Sequence, residues 1–136
     1  MSGQGVLLDT DILSAVMRGD PRVLGPARAH LLQDGRFSFS VITRYEVMRG
    51  LLAKGTVRQV EAFEQLCAAS TLLALDDQVA GQAAAIYADL HRRGALIGDA
   101  DILIAATALV NRLAVATNNE AHFRRIPALI VENWLR

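Results

Sequence analysis

Three acidic residues in separate segments of this sequence could together hold a metal ion. Asp9 follows the apolar run 5–8, Glu46 lies within a predicted helix over 41–54, and Asp101 stands near the start of an apolar segment. Clustered carboxylates repel one another unless a cation neutralises them, and oxygen ligands without sulfur suit Mg²⁺ or Mn²⁺. Mg²⁺ held by few carboxylates keeps water molecules, one of which can attack a phosphodiester. The pattern predicts metal-dependent phosphoryl chemistry if the three acids converge.

Each of two predicted helix starts carries a pair of aspartates, of which one has an ordinary structural role. Asp11 is the better N-cap for the helix over 11–17, which leaves Asp9 at a strand end unexplained by structure. Asp99 is placed to cap a helix that runs to about residue 111. Asp101 lies about 200° from Asp99 around the helical wheel, so the two cannot face one pocket. We therefore assign capping to Asp11 and Asp99, and chemistry to Asp9 and Asp101.

Two interpretations of Glu46 stay open. Its neighbours one turn away include Ile42 and Thr43, so the side chain borders the apolar face of its helix. A role in the acidic cluster would use that position. An (i, i+3) surface pair with Arg49, worth a few tenths of a kcal/mol, is equally compatible with the spacing.

Small polar residues follow the predicted strand 113–117. Thr117 and Asn119 can hold water or a neighbouring carboxylate through neutral hydrogen bonds. Taken alone, the stretch is more typical of an ordinary turn. The three histidines show no metal-ligand spacing with one another or with Cys67, so a zinc site is not expected.

Short apolar segments alternate with longer amphipathic ones along the whole chain. Alternation of this kind predicts a parallel sheet covered by helices, with the ligand site beyond the carboxyl ends of the strands. The predicted strands are 5–8, 37–40, 71–75, 113–117 and 129–131. The predicted helices are 11–17, a second ending at 32, 41–54 capped by Ser40, 57–67, one from Asp76 or Asp77 to 93, 99–111, and a turn at 120–123.

Length and composition bound the class of protein. The 136 residues carry 14 basic and 14 acidic side chains, 52% hydrophobic residues and one cysteine. These values predict one globular domain and exclude a disordered chain or a disulfide scaffold. Balanced charge argues against coating nucleic acid through bulk electrostatics. The start has no basic region before its apolar run, and the apolar stretch 102–110 is too short to span a bilayer, so we expect a cytoplasmic protein without a membrane anchor.

The sequence resembles the PIN-domain ribonucleases, and specifically the VapC-type toxins of bacterial type II toxin-antitoxin pairs. The resemblance covers nearly the whole chain and implies a single PIN domain over residues 1–136. Its fold would be α/β, with three layers and a central, mostly parallel sheet of four to five short strands. The segments that carry it are LLDTDIL at 7–13, RYEV at 44–47, 98–108, VATNN at 115–119, FRRIP at 123–127 and ENW at 132–134.

Site residues can be carried over from the resemblance at matching positions. It implies that Asp9 and Asp101 bind the metal and that Glu46 completes the acidic cluster. The sequence departs from the family at residue 11, where the family usually has asparagine and this chain has Asp11.

A fourth acidic position of the family, near the end of the strand that holds Thr117, has no clear counterpart. Asn119, Glu120 and His122 stand in this region. Of the three, we expect Asn119 to take part through a water molecule.

The implied activity is Mg²⁺-dependent endonucleolytic cleavage of RNA, including structured RNA such as tRNA, with Mn²⁺ as a substitute. Water activated by the metal attacks phosphorus in line and leaves a 5′ phosphate and a 3′ hydroxyl. The resemblance also implies a VapB-type antitoxin whose tail lies across the site, and assembly as a homodimer or as a hetero-oligomer with that antitoxin. Candidates for gripping RNA phosphates, each with a salt bridge as the alternative, are Arg44, Arg49, Arg92, Arg93, Arg124 and Arg125.

Three other classes share parts of the pattern. A receiver domain of a signalling relay has similar alternation, but it requires a lysine after its last core strand, and Lys54 is far upstream. A dehalogenase-type phosphatase would have glycine and a hydroxyl residue where Ile12 and Leu13 stand. A non-catalytic PIN-like binding module is disfavoured by the retained acids.

Overall fold

Within residues 5–136, five short strands are separated from one another by one or two helices, with seven helices in all. The computed structural model describes residues 5–136. The strands are β1 (Val6–Leu8), β2 (Ser38–Ser40), β3 (Thr71–Leu73), β4 (Ala114–Ala116) and β5 (Val131–Glu132). The helices are α1 (Thr10–Arg18), α2 (Pro21–Asp34), α3 (Val41–Lys54), α4 (Val57–Ala68), α5 (Asp77–Arg92), α6 (Asp99–Val110) and α7 (Glu120–Phe123). The predicted absence of a secretory signal depends partly on residues 1–4, which lie outside the described residues.

Every strand pair in the described residues is parallel, which confirms the predicted α/β fold. One ladder has the order β1-β4-β5, and β2 pairs with β3 in a second ladder that packs beside β1. Leu8 is in register with Ala116, so the residues that follow β1 and β4 emerge side by side. The carboxyl ends of these two strands define the edge where a ligand site is expected.

Apolar side chains alternate across β1 and fill a core on each face of the sheet. Leu8 packs with Ile12, Phe39 and Phe63 on one face, under α1, α3 and α4. Leu7 packs on the opposite face with the apolar residues of α5 and α6. Burial of both faces is typical of parallel sheets and produces the predicted three layers.

Two capping predictions were wrong. Asp9, not Asp11, is the N-cap of α1, because its backbone is still extended (φ −71°, ψ 161°) and its carboxylate accepts from the Thr10 N–H. Gly98, not Asp99, is the N-cap of α6, and it provides no side-chain cap. The cap lies two residues before the expected one in α1 and one residue before it in α6.

Other element ends agree closely with expectation. Ser40 caps α3, accepting a 3.2 Å hydrogen bond from the Thr43 N–H, and Asp76 caps α5. Gly94, predicted as a permissive stop, has φ +65° after α5. Strand β3 ends at Leu73 rather than residue 75, and β5 lies at 131–132 rather than 129–131.

The prediction of no membrane anchor can be compared with the length and polarity of the helices. Within residues 5–136, none of them is both long and apolar enough to cross a bilayer.

Candidate active site

Asp9 lies at the carboxyl end of β1 and is almost completely buried, with 5% of its surface exposed. Its backbone N–H donates to the Ala116 carbonyl at 2.9 Å, which extends the β1–β4 pairing by one residue. Oδ1 accepts from the Thr10 N–H at 2.8 Å, and Oδ2 accepts from the Thr117 hydroxyl at 2.8 Å. Burial, together with the nearby charges of Asp11 and Asp101, raises the pKa of Asp9 to about 7.

Asp101 projects from the first turn of α6 toward the polar end of β4. Its Oδ2 accepts from the side-chain amide of Asn119 at 3.2 Å and lies 3.0 Å from Nδ1 of His122. The charge of Asp101 contributes to the raised pKa of both Asp9 and Asp11. Asp101 therefore acts electrostatically on the same region that the end of β1 occupies.

Asp11 turns back toward the end of β4 from the first turn of α1. Its Oδ2 accepts a 3.0 Å hydrogen bond from the Asn118 N–H. Its Oδ1 is buried and has no hydrogen-bond partner among the described residues. Burial raises the pKa of Asp11, and the charge of Asp101 raises it further.

Glu46 is held from the neighbouring helix by the residue that follows Asp9. The Thr10 hydroxyl donates a 2.6 Å hydrogen bond to Oε1 of Glu46 and lies 3.0 Å from the hydroxyl of Thr43. Arg49 is 3.9 Å from the other carboxylate oxygen. The ion pair between Glu46 and Arg49 is present, but the hydrogen bond from Thr10 is shorter and connects Glu46 to the start of α1.

The three candidates for the fourth position separate into two groups. Asn119 and His122 both contact Asp101, and they lie 2.7 Å apart. Glu120 instead accepts from Arg124, Arg136 and Asn133, and these bonds lower its pKa to about 2. The carboxylate nearest in sequence to the expected position is thus committed to an ion-pair network.

Comparison with known proteins shows the family. The PIN domain model matches residues 6–129, nearly the whole chain. The chain belongs to the PIN domain family. It is 31% identical over 131 residues to Ribonuclease VapC2 of Haemophilus influenzae, covering 95% of this chain and 97% of that protein. It is 30% identical over 129 residues to the tRNA(fMet)-specific endonuclease VapC of Salmonella typhimurium, covering 94% and 96%.

Solved structures show the same PIN fold. A crystal structure of DNA-bound VapBC from Salmonella typhimurium superposes with a TM-score of 0.87 at 28% identity, over 97% of this chain and 99% of that one. The FitAcB structure from Neisseria gonorrhoeae superposes with a TM-score of 0.82 at 27% identity, over 95% and 97%. The family match decides against the receiver-domain and dehalogenase-type interpretations.

VapC nucleases of the PIN family are generally metal-dependent. Within residues 5–136, no three Asp, Glu, His or Cys side chains are arranged so that they could already hold a metal ion. Two features fit one nevertheless: the buried Oδ1 of Asp11 without a partner, and the raised pKa of Asp9. A hard divalent cation bound through oxygen would give Oδ1 of Asp11 a partner. Its positive charge would also favour the ionised form of Asp9.

Sequence reasoning missed Thr10 as a contributor to this site, whereas it named Thr117 and Asn119. Thr10 was not singled out, although a hydroxyl directly after a strand-end acid can reach a neighbouring helix. Thr117 and Asn119 bind Asp9 and Asp101 directly, which is one of the two interpretations left open for this stretch and not the ordinary turn that it favours when taken alone.

A groove opens beside Glu46 on the surface of the PIN domain. It has a volume of about 570 Å³ and lies between α1, α3 and α4. Thr10 and Glu46 line the end nearest the acids, and apolar side chains such as Met17, Leu51 and Leu66 line much of the rest. The groove therefore joins an apolar surface to the acidic residues.

Most of the arginines proposed to grip RNA have partners within the chain. Arg44 pairs with Glu64, Arg93 with Asp89 and Arg124 with Glu120 at 2.6 to 2.8 Å. Arg125 donates to the carbonyls of Ala95 and Leu96. The salt-bridge alternative therefore describes these three arginines and also Arg49, which lies 3.9 Å from Glu46.

Proposed function

We propose that this protein is a Mg²⁺-dependent endoribonuclease that acts as the toxin of a type II toxin-antitoxin pair. The observation that supports it most is the juxtaposition of Asp9, Asp11 and Asp101 at one edge of the sheet, in a chain of the PIN family. Burial raises the pKa of Asp9 and Asp11, the nearby charge of Asp101 raises both further, and a bound cation would offset this cost. Similarity to proteins named as VapC ribonucleases supplies the substrate class.

Asp9, Asp101 and Glu46 would hold the metal, with Mn²⁺ as a substitute for Mg²⁺. When bound, the ion would activate water toward the phosphodiester and stabilise the charge that develops on the phosphate. Thr117 and the Thr10 N–H orient the Asp9 carboxylate, and the Thr10 hydroxyl orients Glu46. Asn119 orients Asp101 and offers a neutral amide that can hold a water molecule near it.

RNA is the proposed substrate, and tRNA is the substrate class to test first. One relative with 30% identity carries the name tRNA(fMet)-specific endonuclease. Cleavage would leave a 5′ phosphate and a 3′ hydroxyl. A cytoplasmic location would place the enzyme with this substrate.

A VapB-type antitoxin is the proposed partner, because the similar solved structures are VapBC complexes. The groove between α1, α3 and α4 leads directly to Glu46 and could receive an apolar tail segment. We propose assembly as a homodimer or as a hetero-oligomer with this antitoxin.

The decisive experiment incubates the purified chain with total tRNA in Mg²⁺, in Mn²⁺ and in EDTA, with cut sites mapped by end sequencing. We expect cleavage only with metal, and none from Asp9→Asn or Asp101→Asn. Asp99→Asn is the matched control, because Asp99 is exposed at the same helix start and contacts none of the site residues described above. Full activity in EDTA would reject the mechanism. A folded protein that cleaves no RNA in either metal would favour the non-catalytic binding module.

A further inference from the structure

Asp11 carries a carboxylate oxygen that no other role explains. It is not the N-cap of α1, since Asp9 fills that position. An exposed acid in the first turn of a helix is stabilised modestly by the helix dipole. The Oδ1 atom of Asp11 is instead buried without a hydrogen-bond partner among the described residues, and a buried polar atom left unsatisfied destabilises the fold. The backbone N–H groups of Asp11 and Ile12 lower the pKa of this carboxyl in part, but none of the described residues donates a hydrogen bond to Oδ1.

The surroundings of Asp11 point to the acidic site. Its other oxygen is anchored by the Asn118 N–H at 3.0 Å, at the polar end of β4. This hydrogen bond holds the Asp11 carboxylate between the start of α1 and Asn118. Asn118 stands between Thr117, whose hydroxyl binds Asp9, and Asn119, whose amide binds Asp101, so three consecutive residues hold the three acids at this strand end.

We propose that Asp11 is a further carboxylate ligand of the metal and contributes Oδ1. This inference rests on the proposed function, since it assigns a residue to the same cation. With Asp11, the site has four acids, namely Asp9, Asp11, Glu46 and Asp101. The residues after β4 add no free carboxylate, because Asn119 is neutral and Glu120 is paired with Arg124. The negative charge that Asn119 lacks is supplied from α1.

Mn²⁺ binding by the metal-free full chain, measured by isothermal titration calorimetry, tests the proposal without using activity. Asp11→Asn keeps an oxygen for the Asn118 N–H and removes the charge. We expect it to weaken Mn²⁺ binding by roughly tenfold, while Asp99→Asn binds like the unmodified chain. In EDTA, Asp11→Asn should also melt at a higher temperature, because it removes one negative charge from the strand end that also holds Asp9 and Asp101.

A second variant separates a ligand from an anchor. Asp11→Ala removes both the charge and the contact with residue 118, so it should weaken Mn²⁺ binding at least as much and lower the melting temperature. If Asp11→Ala weakens binding and Asp11→Asn does not, Asp11 only anchors the end of β4 and the proposal is overturned. The same conclusion follows if neither variant changes affinity while Asp101→Asn does. If the unmodified chain binds no Mn²⁺, the proposed metal-dependent function fails as a whole.

Discussion

The hydroxyl of Thr117 donates a 2.8 Å hydrogen bond to Oδ2 of Asp9, which joins two residues 108 positions apart in the sequence. Thr117 is completely buried. Its Oγ1 also accepts from the Asn119 N–H at 2.9 Å, and the side chain of Asn119 reaches Asp101. One buried hydroxyl therefore connects the supports of two acids that come from different elements.

Replacing Thr117 with valine should disturb both supports with little change of shape. The buried Asp9 carboxylate would lose a donor, so we expect the free energy of unfolding to fall by about 1–3 kcal/mol. RNA cleavage should fall as well, because Asp9 and Asn119 lose their common anchor. Urea denaturation and a cleavage assay measure the two effects. Thr117→Ser keeps the hydroxyl and should retain most of both, so an equal loss in serine and valine would contradict this role.

Substitutions of Asp99 and Asp101 should have different effects on cleavage and on the melting temperature. Asp101→Asn is expected to abolish cleavage and to raise the melting temperature in EDTA, because it removes one charge from the acidic cluster. Asp99→Ala should change the melting temperature only slightly, since Gly98 and not Asp99 caps α6. Differential scanning calorimetry in EDTA and a cleavage time course provide the measurements. A large destabilisation by Asp99→Ala would restore the capping role that the sequence suggests.

The metal-free protein should lose stability as the pH rises. The pKa of Asp9 is about 7 in the folded chain against an ordinary value of 3.8. Between these values the native state keeps a proton that the unfolded chain has released, so the free energy of unfolding falls from about pH 4 to about pH 7. Urea titrations in EDTA across this range should show a steeper fall for the unmodified chain than for Asp9→Asn. Parallel curves for the two proteins would refute the assignment to Asp9.

Thr10 should act on cleavage through Glu46. Thr10→Val removes the 2.6 Å hydrogen bond to Glu46, and misplacement of a site acid should lower kcat by about tenfold to a hundredfold. Thr10→Ser keeps the donor and should retain most of kcat. Steady-state kinetics on a defined RNA separate kcat from KM. A valine variant that raises only KM would show that Thr10 contacts substrate instead.

We expect Glu120 to stabilise the fold and not to bind the metal. Its carboxylate binds Arg124, Arg136 and Asn133, and these partners hold its pKa near 2, so Glu120→Gln should lower the melting temperature. The stability that these bonds contribute is present above the ordinary pKa of 4.5 and disappears as the pH falls toward 2. Mn²⁺ affinity at neutral pH, measured by calorimetry, should match that of the unmodified chain. A marked loss of affinity would place Glu120 in the metal site after all.

Helix α3 illustrates what can be predicted from the sequence. Its apolar spacing, the serine before it and the glycine after it agree with one another, and the helix lies at Val41–Lys54 with Ser40 as its cap. The start of α1 is different, because Asp9 and Asp11 are both good N-caps by residue type. The backbone angles at residue 9 decide between them, and those depend on the pairing of β1 with β4.

The partners of the acids were harder to predict than the acids themselves. A strand end marks Asp9 from local pattern, and the first turn of an apolar helix marks Asp101. His122 lies in a helix of four residues, which is too short to show periodicity, so its contact with Asp101 has no local signature. Contacts of this kind follow from how the sheet brings loops together, which one sequence does not encode in any short window.

The pairing of β1 with β4 also bears on how the protein is made. Closing so long a segment of chain carries an entropic cost, and parallel pairing of distant segments forms slowly. While a ribosome is still translating the middle of the message, Asp9 has neither Thr117 beside it nor Asp101 nearby. The acidic site therefore cannot assemble on the nascent polypeptide until the second half of the chain has been synthesised.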